Sequence, residues 1–293
     1  MAGDNAAIPP GGCEKKGAGQ GAAPRVLFLL SGEGPSDIGA CDWPYAEVCC
    51  TGDGFRPGPM AALVDCAVRK HLGYSVLDVP GDVRFICKNH LVKLAKEKSK
   101  HVRVATGKEG KRRETFFTLQ ALALGKQALS WGEKDSTPVI AVLFHDTDGT
   151  RSASRTLWQD KLKSMRQGFA SAGRGGYRLG VPMLPNPKSE AWLLCARKNN
   201  PYQGCKKLEE ASGNDTAPNA LKDQLEEVVG EWDNEGMTQW IRDGHLEIDR
   251  MGEMASFKAF RDDLQAALDH AERLPDGSDR QKGPLSGAEA LRR

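Results

Sequence analysis

Val139-Ile140-Ala141-Val142-Leu143-Phe144-His145-Asp146-Thr147-Asp148-Gly149 decides how this chain reads. An unbroken apolar run of this length fits an internal strand of a parallel sheet, because helices cover both of its faces. The run stops abruptly at carboxylates. The same plan stands nearer the N-terminus, in Arg25-Val26-Leu27-Phe28-Leu29-Leu30-Ser31-Gly32-Glu33-Gly34-Pro35-Ser36-Asp37. Acids just beyond two strand ends can meet in one crevice. There they can hold Mg²⁺ or Mn²⁺, since hard divalent ions take oxygen ligands and neutralise carboxylates that otherwise repel each other.

The flanking sequence reads as α/β. Strands are expected at residues 26–30, 74–79, 138–144 and 177–183. Helices are expected at residues 57–72, 85–98, 114–129, 152–169 and 188–196, with residues 108–113 as a basic turn. Residues 209–250 read as small helices, and a packing helix follows at 256–270. The expected organisation is a disordered leader (1–24), a catalytic core with a helical insertion (25–200), a helical extension packed on it (201–274) and a disordered tail (275–293).

With 293 residues, 39% hydrophobic and 27% charged, the chain can bury a substantial core. Its formal charge of +2 hides an asymmetry. Residues 88–113 hold ten Lys or Arg against two Glu, whereas residues 209–250 hold twelve acids against three bases. A local basic surface can therefore meet phosphates although the whole chain is nearly neutral. The sequence carries no apolar span of membrane length and no signal-peptide core before Arg25, so a cytoplasmic protein with no membrane association is expected. Cysteines at positions 13, 41, 49, 50, 66, 87, 195 and 205 then read as reduced thiols. A zinc site at Cys41, Cys49 and Cys50 lacks the usual ligand spacing.

Each acidic position also has a plainer reading. Asp146 and Asp148 can cap a following helix, and Glu33 can be a solvated turn acid. Asp37 can join a metal shell or cap the helix after the Gly34-Pro35 turn. Glu190 can contact a metal or its water, or simply pair with Lys188. Lys188 can hold a phosphate oxygen or form a surface ion pair. His145 fits a core or tuning role better than direct chemistry. Lys108, Lys111, Arg112 and Arg113 form a candidate phosphate-backbone contact. Trp131, Trp158, Trp192, Trp232 and Trp240 read as packing residues. Walker A spacing is absent, so intrinsic ATP hydrolysis is not expected.

Three motifs carry a resemblance: Gly32-Glu33-Gly34-Pro35-Ser36-Asp37, Asp146-Thr147-Asp148-Gly149 and Pro187-Lys188-Ser189-Glu190-Ala191-Trp192-Leu193-Leu194. Together they look like a compact TOPRIM-related protein, similar to the OLD-type TOPRIM nucleases, and the Ser256-Phe257-Lys258-Ala259-Phe260 segment resembles their terminal helix. The resemblance implies a four-stranded, mostly parallel TOPRIM-like sheet and divalent-metal-dependent hydrolysis of nucleic-acid phosphodiesters. In it, Glu33 matches the strand-end glutamate, Asp146 and Asp148 the DxD pair, and Glu190 the third acidic motif. The expected activity is a Mg²⁺- or Mn²⁺-dependent DNA endonuclease in bacterial defence against phage or mobile DNA. RNA processing is the close alternative, and a noncatalytic nucleic-acid or partner-binding module is the alternative of another class. Nucleotide-driven control would need a separately encoded ATPase or defence-complex partner.

Overall fold

The computed structural model describes residues 25–42, 49–99, 109–148, 154–230 and 233–274. Along the chain these form β1 (Leu27–Gly32), a wide helical turn (Gly34–Ile38), β2 (Gly39–Cys41), β3 (Cys49–Thr51), β4 (Phe55–Pro57) and α1 (Pro59–Leu72). Next come β5 (Val83–Ile86), α2 (Lys88–Ser99), α3 (Glu109–Asp135), β6 (Val139–Phe144), α4 (Ser154–Ala170), β7 (Gly180–Met183) and α5 (Ser189–Arg197). The C-terminal part adds α6 (Leu221–Val229), α7 (Asn234–Arg242) and α8 (Ala255–Glu272). The expected leader and tail, Lys108, Gly149 and Trp232 lie outside the described residues.

The two apolar runs pair directly. β1 and β6 are parallel and in register from Leu27–Val139 to Gly32–Phe144, so they end side by side. Gly32 is needed at that end, because a Cβ there would lie 2.4 Å from the Phe144 carbonyl oxygen. Phe28, Leu29, Ile140, Val142 and Phe144 are fully buried, each contributing about 1.5–3 kcal/mol by removal from water. The sheet order is β3-β5-β1-β6-β7, with β5, β1, β6 and β7 parallel and β3 an antiparallel edge. The fold is thus mixed α/β around a mostly parallel sheet. The edge strand β3 and the small β2–β4 ribbon are additions to the four strands expected.

Chain connectivity fixes where this sheet opens. From β1 the chain crosses through α1 to β5 on one side, whereas from β6 it crosses through α4 to β7 on the other. Right-handed crossovers then put α1 and α4 on opposite faces. The contacts agree: α3 packs on α4, while α1 packs on α7 and α8 covers β7. The order reverses between β1 and β6, and open α/β sheets have a crevice beyond the strand ends at such a reversal.

Three local expectations are corrected. Residues 74–79 form turns, because the buried carboxylate of Asp65 accepts from the Ser75 hydroxyl at 3.0 Å and the Leu77 amide at 3.2 Å. The strand lies instead at Val83–Ile86, so Phe85 and Ile86 belong to the sheet and not to a helix. The expected basic turn at 108–113 is also replaced over its described part: residues 109–113, with Lys111, Arg112 and Arg113, are helical and belong to α3.

The cysteine expectation fails at four positions. Cys41–Cys50 joins β2 to β3, and Cys195–Cys205 joins α5 to the turn after it, with Cα separations of 5.7 and 5.3 Å that a disulfide spans. This pairing also removes Cys41 and Cys50 from any zinc site. Cys49, Cys66 and Cys87 are free thiols. Trp131, Trp158, Trp192 and Trp240 pack against the core, with Trp192 donating to Ser256 Oγ at 2.8 Å. Among the described residues, no helix is long and apolar enough to cross a membrane.

Candidate functional site

Because β1 and β6 end in register, the residues that follow them become neighbours. Glu33 donates its backbone N–H to the Phe144 carbonyl, and its Oε1 accepts the Asp146 amide at 3.0 Å. The chain after β6 then runs alongside the chain after β7. His145, Thr147 and Asp148 donate their amides to the carbonyls of Met183, Pro185 and Pro187. This ladder delivers Asp146 to the start of α5. There its Oδ1 accepts the Ser189 amide at 2.9 Å, a favourable place for an anion at a helix N-terminus.

Ser189 gathers a second acid. Its hydroxyl donates to Asp37 Oδ1 at 2.7 Å, and Glu190 is the next residue on the same helix. Asp37 comes from the turn after β1, where Gly34 takes φ +73°, a conformation that favours glycine. Ser36 donates to the other Asp37 oxygen at 3.2 Å. Carboxylates from three elements therefore meet around one buried serine.

Their charges are poorly compensated. Burial pushes the Asp146 carboxyl well up, and the charges of Asp37, Glu190 and Asp148 push it further against the opposing Ser189 amide. Burial raises Asp37 as well, with Glu33 adding repulsion, and it raises Glu190 with repulsion from Asp37. Asp148 sits at the rim. Its side chain is 60% exposed, its φ is +43°, and Lys188 Nζ lies 3.8 Å away. Lys188 itself pairs with Asp215 at 2.7 Å. Burial lowers the Lys188 pKa, but Asp215, Glu190 and Asp148 outweigh it and raise the balance.

Glu33 belongs to a different, compensated group. His145 Nδ1 stands 3.1 Å from its Oε1, and Lys88 Nζ stands 3.4 Å from its Oε2. Burial works against its charge, yet His145, Lys88 and the Asp146 amide together hold its carboxyl down at about 2. The His145 ring is 1% exposed, and its Nε2 faces Gln120 Oε1 at 2.6 Å, with Phe117 edge-on at 5.0 Å. The expected tuning position of His145 thus has a geometry: it fixes Glu33 from behind.

Of the expected trio, Glu33 binds the Asp146 amide and Asp148 adds to the repulsion on Asp146, but the acids that repel one another most directly are Asp37, Asp146 and Glu190. Among the described residues, no group of three or more His, Cys, Asp and Glu side chains is placed so that it could hold a metal ion. Two positions escaped the sequence reading. Ser189 lay inside a motif already singled out, yet only the fold shows that it joins two acids. Lys161 on α4 donates to the Asp146 carbonyl at 3.1 Å and the Thr147 carbonyl at 2.5 Å, and nothing in the sequence marks that return. No family model, curated protein or solved structure matches the chain.

Proposed function

We propose that the protein is a TOPRIM-related phosphodiesterase that hydrolyses nucleic acid, DNA first, with Mg²⁺ or Mn²⁺. The observation that carries this reading is the meeting of Asp37 and Asp146 on Ser189, next to Glu190, where the sheet order reverses. The donor set suits a hard divalent ion, since each of these side chains offers carboxylate oxygen and burial raises the pKa of all three. Asp37, Asp146 and Glu190 would be the carboxylates to hold the ion, with Asp148 at the rim, and they would have to draw closer together than they stand here to do so. A bound divalent ion would supply Lewis-acid stabilisation of the phosphoryl oxygens. Glu33, kept ionised by His145 and Lys88, anchors the Asp146 backbone and thereby the position of its side chain. Lys188, paired with Asp215 and 3.8 Å from Asp148, is the cation that would have to leave Asp215 to meet an incoming phosphate.

A noncatalytic nucleic-acid or partner-binding module is the second reading. It is favoured by the absence, among the described residues, of a group of three side chains placed to hold a metal. The test is cleavage of single-stranded, duplex and structured DNA and RNA with Mg²⁺ or Mn²⁺, with wild-type protein and Asp146→Asn, each with and without a candidate ATPase partner. Metal-dependent cleavage lost in Asp146→Asn supports hydrolysis. Nucleic-acid binding without cleavage in every condition supports the second reading.

A further inference from the structure

A cavity of about 560 Å³ adjoins the acid cluster through the Gly34–Ile38 turn. Pro35 and Ser36 of that turn line the cavity, and Ser36 donates to Asp37 at 3.2 Å. One wall of the cavity is therefore hydrogen-bonded to an acid of the cluster. The other walls come from Ala40 of β2, from β4 with Gly58, and from α7, whose Glu235 places one carboxylate in the lining, opposite in charge to Arg56 and Arg242.

The chemistry of the lining is mixed in an informative way. Arg56 and Arg242 enter from two different elements. Each is steadied by one carboxylate at 2.5 Å, Arg56 by Asp42 and Arg242 by Asp78. A guanidinium carries five N–H donors, so one carboxylate leaves donors for a phosphate. Pro35, Phe55 and Pro57 add an apolar surface, and Phe55 is itself stacked on Phe85 with ring centroids 4.9 Å apart. From α7, the Thr238 hydroxyl donates to the Asn234 carbonyl and Gln239 Nε2 to Asp243, each at 2.7 Å, so they offer the cavity acceptor oxygens. Cations, an apolar surface and acceptor oxygens are the three features needed for the phosphate, base and base edge of a nucleotide.

We propose that this cavity seats one unpaired nucleotide of a single-stranded nucleic acid, next to the phosphodiester presented to Asp37, Asp146 and Glu190. An open-sided cavity of about 560 Å³ has room for one nucleotide turned out of a strand. The substrate class is thereby single-stranded or locally opened. The orientation toward the acids rests on the phosphodiesterase reading, whereas nucleotide binding in the cavity does not.

The test uses the full chain without added metal. AMP, dAMP, adenosine and inorganic phosphate are titrated separately by calorimetry, and a labelled single-stranded oligonucleotide is compared with its duplex by anisotropy. AMP or dAMP is expected to bind saturably and more tightly than either adenosine or phosphate alone, and the single strand more tightly than the duplex. Arg56→Ala should weaken mononucleotide binding about tenfold. Gln239→Trp, at an exposed helix position, should abolish it by filling the chamber; equal circular dichroism and thermal unfolding confirm that the variant is folded. Arg242→Ala is a poorer choice because the Arg242 side chain is the more buried of the two, 30% exposed against 71% for Arg56.

Absence of saturable mononucleotide binding, or binding unchanged in a folded Gln239→Trp protein, overturns the assignment. Mononucleotide binding lost in Gln239→Trp, without cleavage in Mg²⁺ or Mn²⁺, keeps the cavity assignment and removes the hydrolysis reading. Cleavage abolished by Asp146→Asn but equal on single strand and duplex, with KM unchanged in Gln239→Trp, keeps hydrolysis and removes the cavity assignment.

Discussion

Glu33 Oε1 stands 3.1 Å from Nδ1 of the buried His145 ring, and this contact converts a strand-end acid into a fixed anion. With Lys88 and the Asp146 amide, it overcomes the burial that would otherwise disfavour the charge. A folded-state pKa of about 2, below the ordinary 4.5, means that the ionised form stabilises the fold above the unfolded value and that this stability is lost as pH falls through about 2. Glu33→Gln should therefore be about 3 kcal/mol less stable than wild type at neutral pH. The gap should close between pH 4.5 and pH 2. Urea unfolding across that interval measures it, and a gap independent of pH would refute the assigned role.

Asp146 has the opposite sign. Burial first, and then Asp37, Glu190 and Asp148, raise its pKa, so wild type should gain stability as pH falls through the raised value. Asp146→Asn keeps an oxygen for the Ser189 amide and removes the charge. Without metal it should be more stable than wild type at pH 7 to 8, with the two converging on acidification. Mg²⁺ or Mn²⁺ should raise the unfolding midpoint of wild type but not of the variant. A variant destabilised throughout, with no metal response in either protein, would leave Asp146 as a helix-capping residue alone.

Ser189 links the acids without being one of them. Ser189→Ala removes the hydroxyl that donates to Asp37 and retains the backbone donor to Asp146. The expected loss is about 1 kcal/mol of stability and about 10- to 100-fold in metal affinity or cleavage, the scale seen when groups that orient ligands are removed. Calorimetric Mn²⁺ titration and cleavage at saturating metal separate these two effects. Full affinity and full activity in a folded variant would show that Asp37 needs no such anchor.

The central pair of strands was legible because its pattern was extreme. Residues 139–144 are apolar throughout and read as buried on both faces, and the parallel register then put Glu33 beside Asp146. Shorter elements escaped where tertiary contacts overruled local pattern. Residues 74–79 carry apolar side chains, but the buried Asp65 ties that segment into turns. The Val83–Ile86 strand was hidden because it runs into α2 after a single residue, Cys87, so two periodicities merge. The acids themselves were visible as types and spacing. Their division into a compensated group around Glu33 and an uncompensated one around Ser189 was not, because it depends on His145, Lys88 and Ser189 meeting across long separations.

The basic segment of α3 presents a physical conflict with a measurable consequence. Lys111, Arg112 and Arg113 are consecutive like charges within α3, and neighbouring cations repel one another. Replacing all three with Gln should therefore leave stability unchanged or raise it by about 0.2–0.5 kcal/mol. If the segment tracks a nucleic-acid backbone, the same variant should bind an oligonucleotide more weakly, and its log–log salt slope should fall by about 2 to 3. Fluorescence anisotropy across a salt series gives the slope, and thermal unfolding gives the stability. Weaker binding with a reduced slope in an equally stable protein assigns the segment to phosphate contact. An unchanged slope removes it from the substrate path and leaves the cavity arginines, Arg56 and Arg242, as the cations to test next.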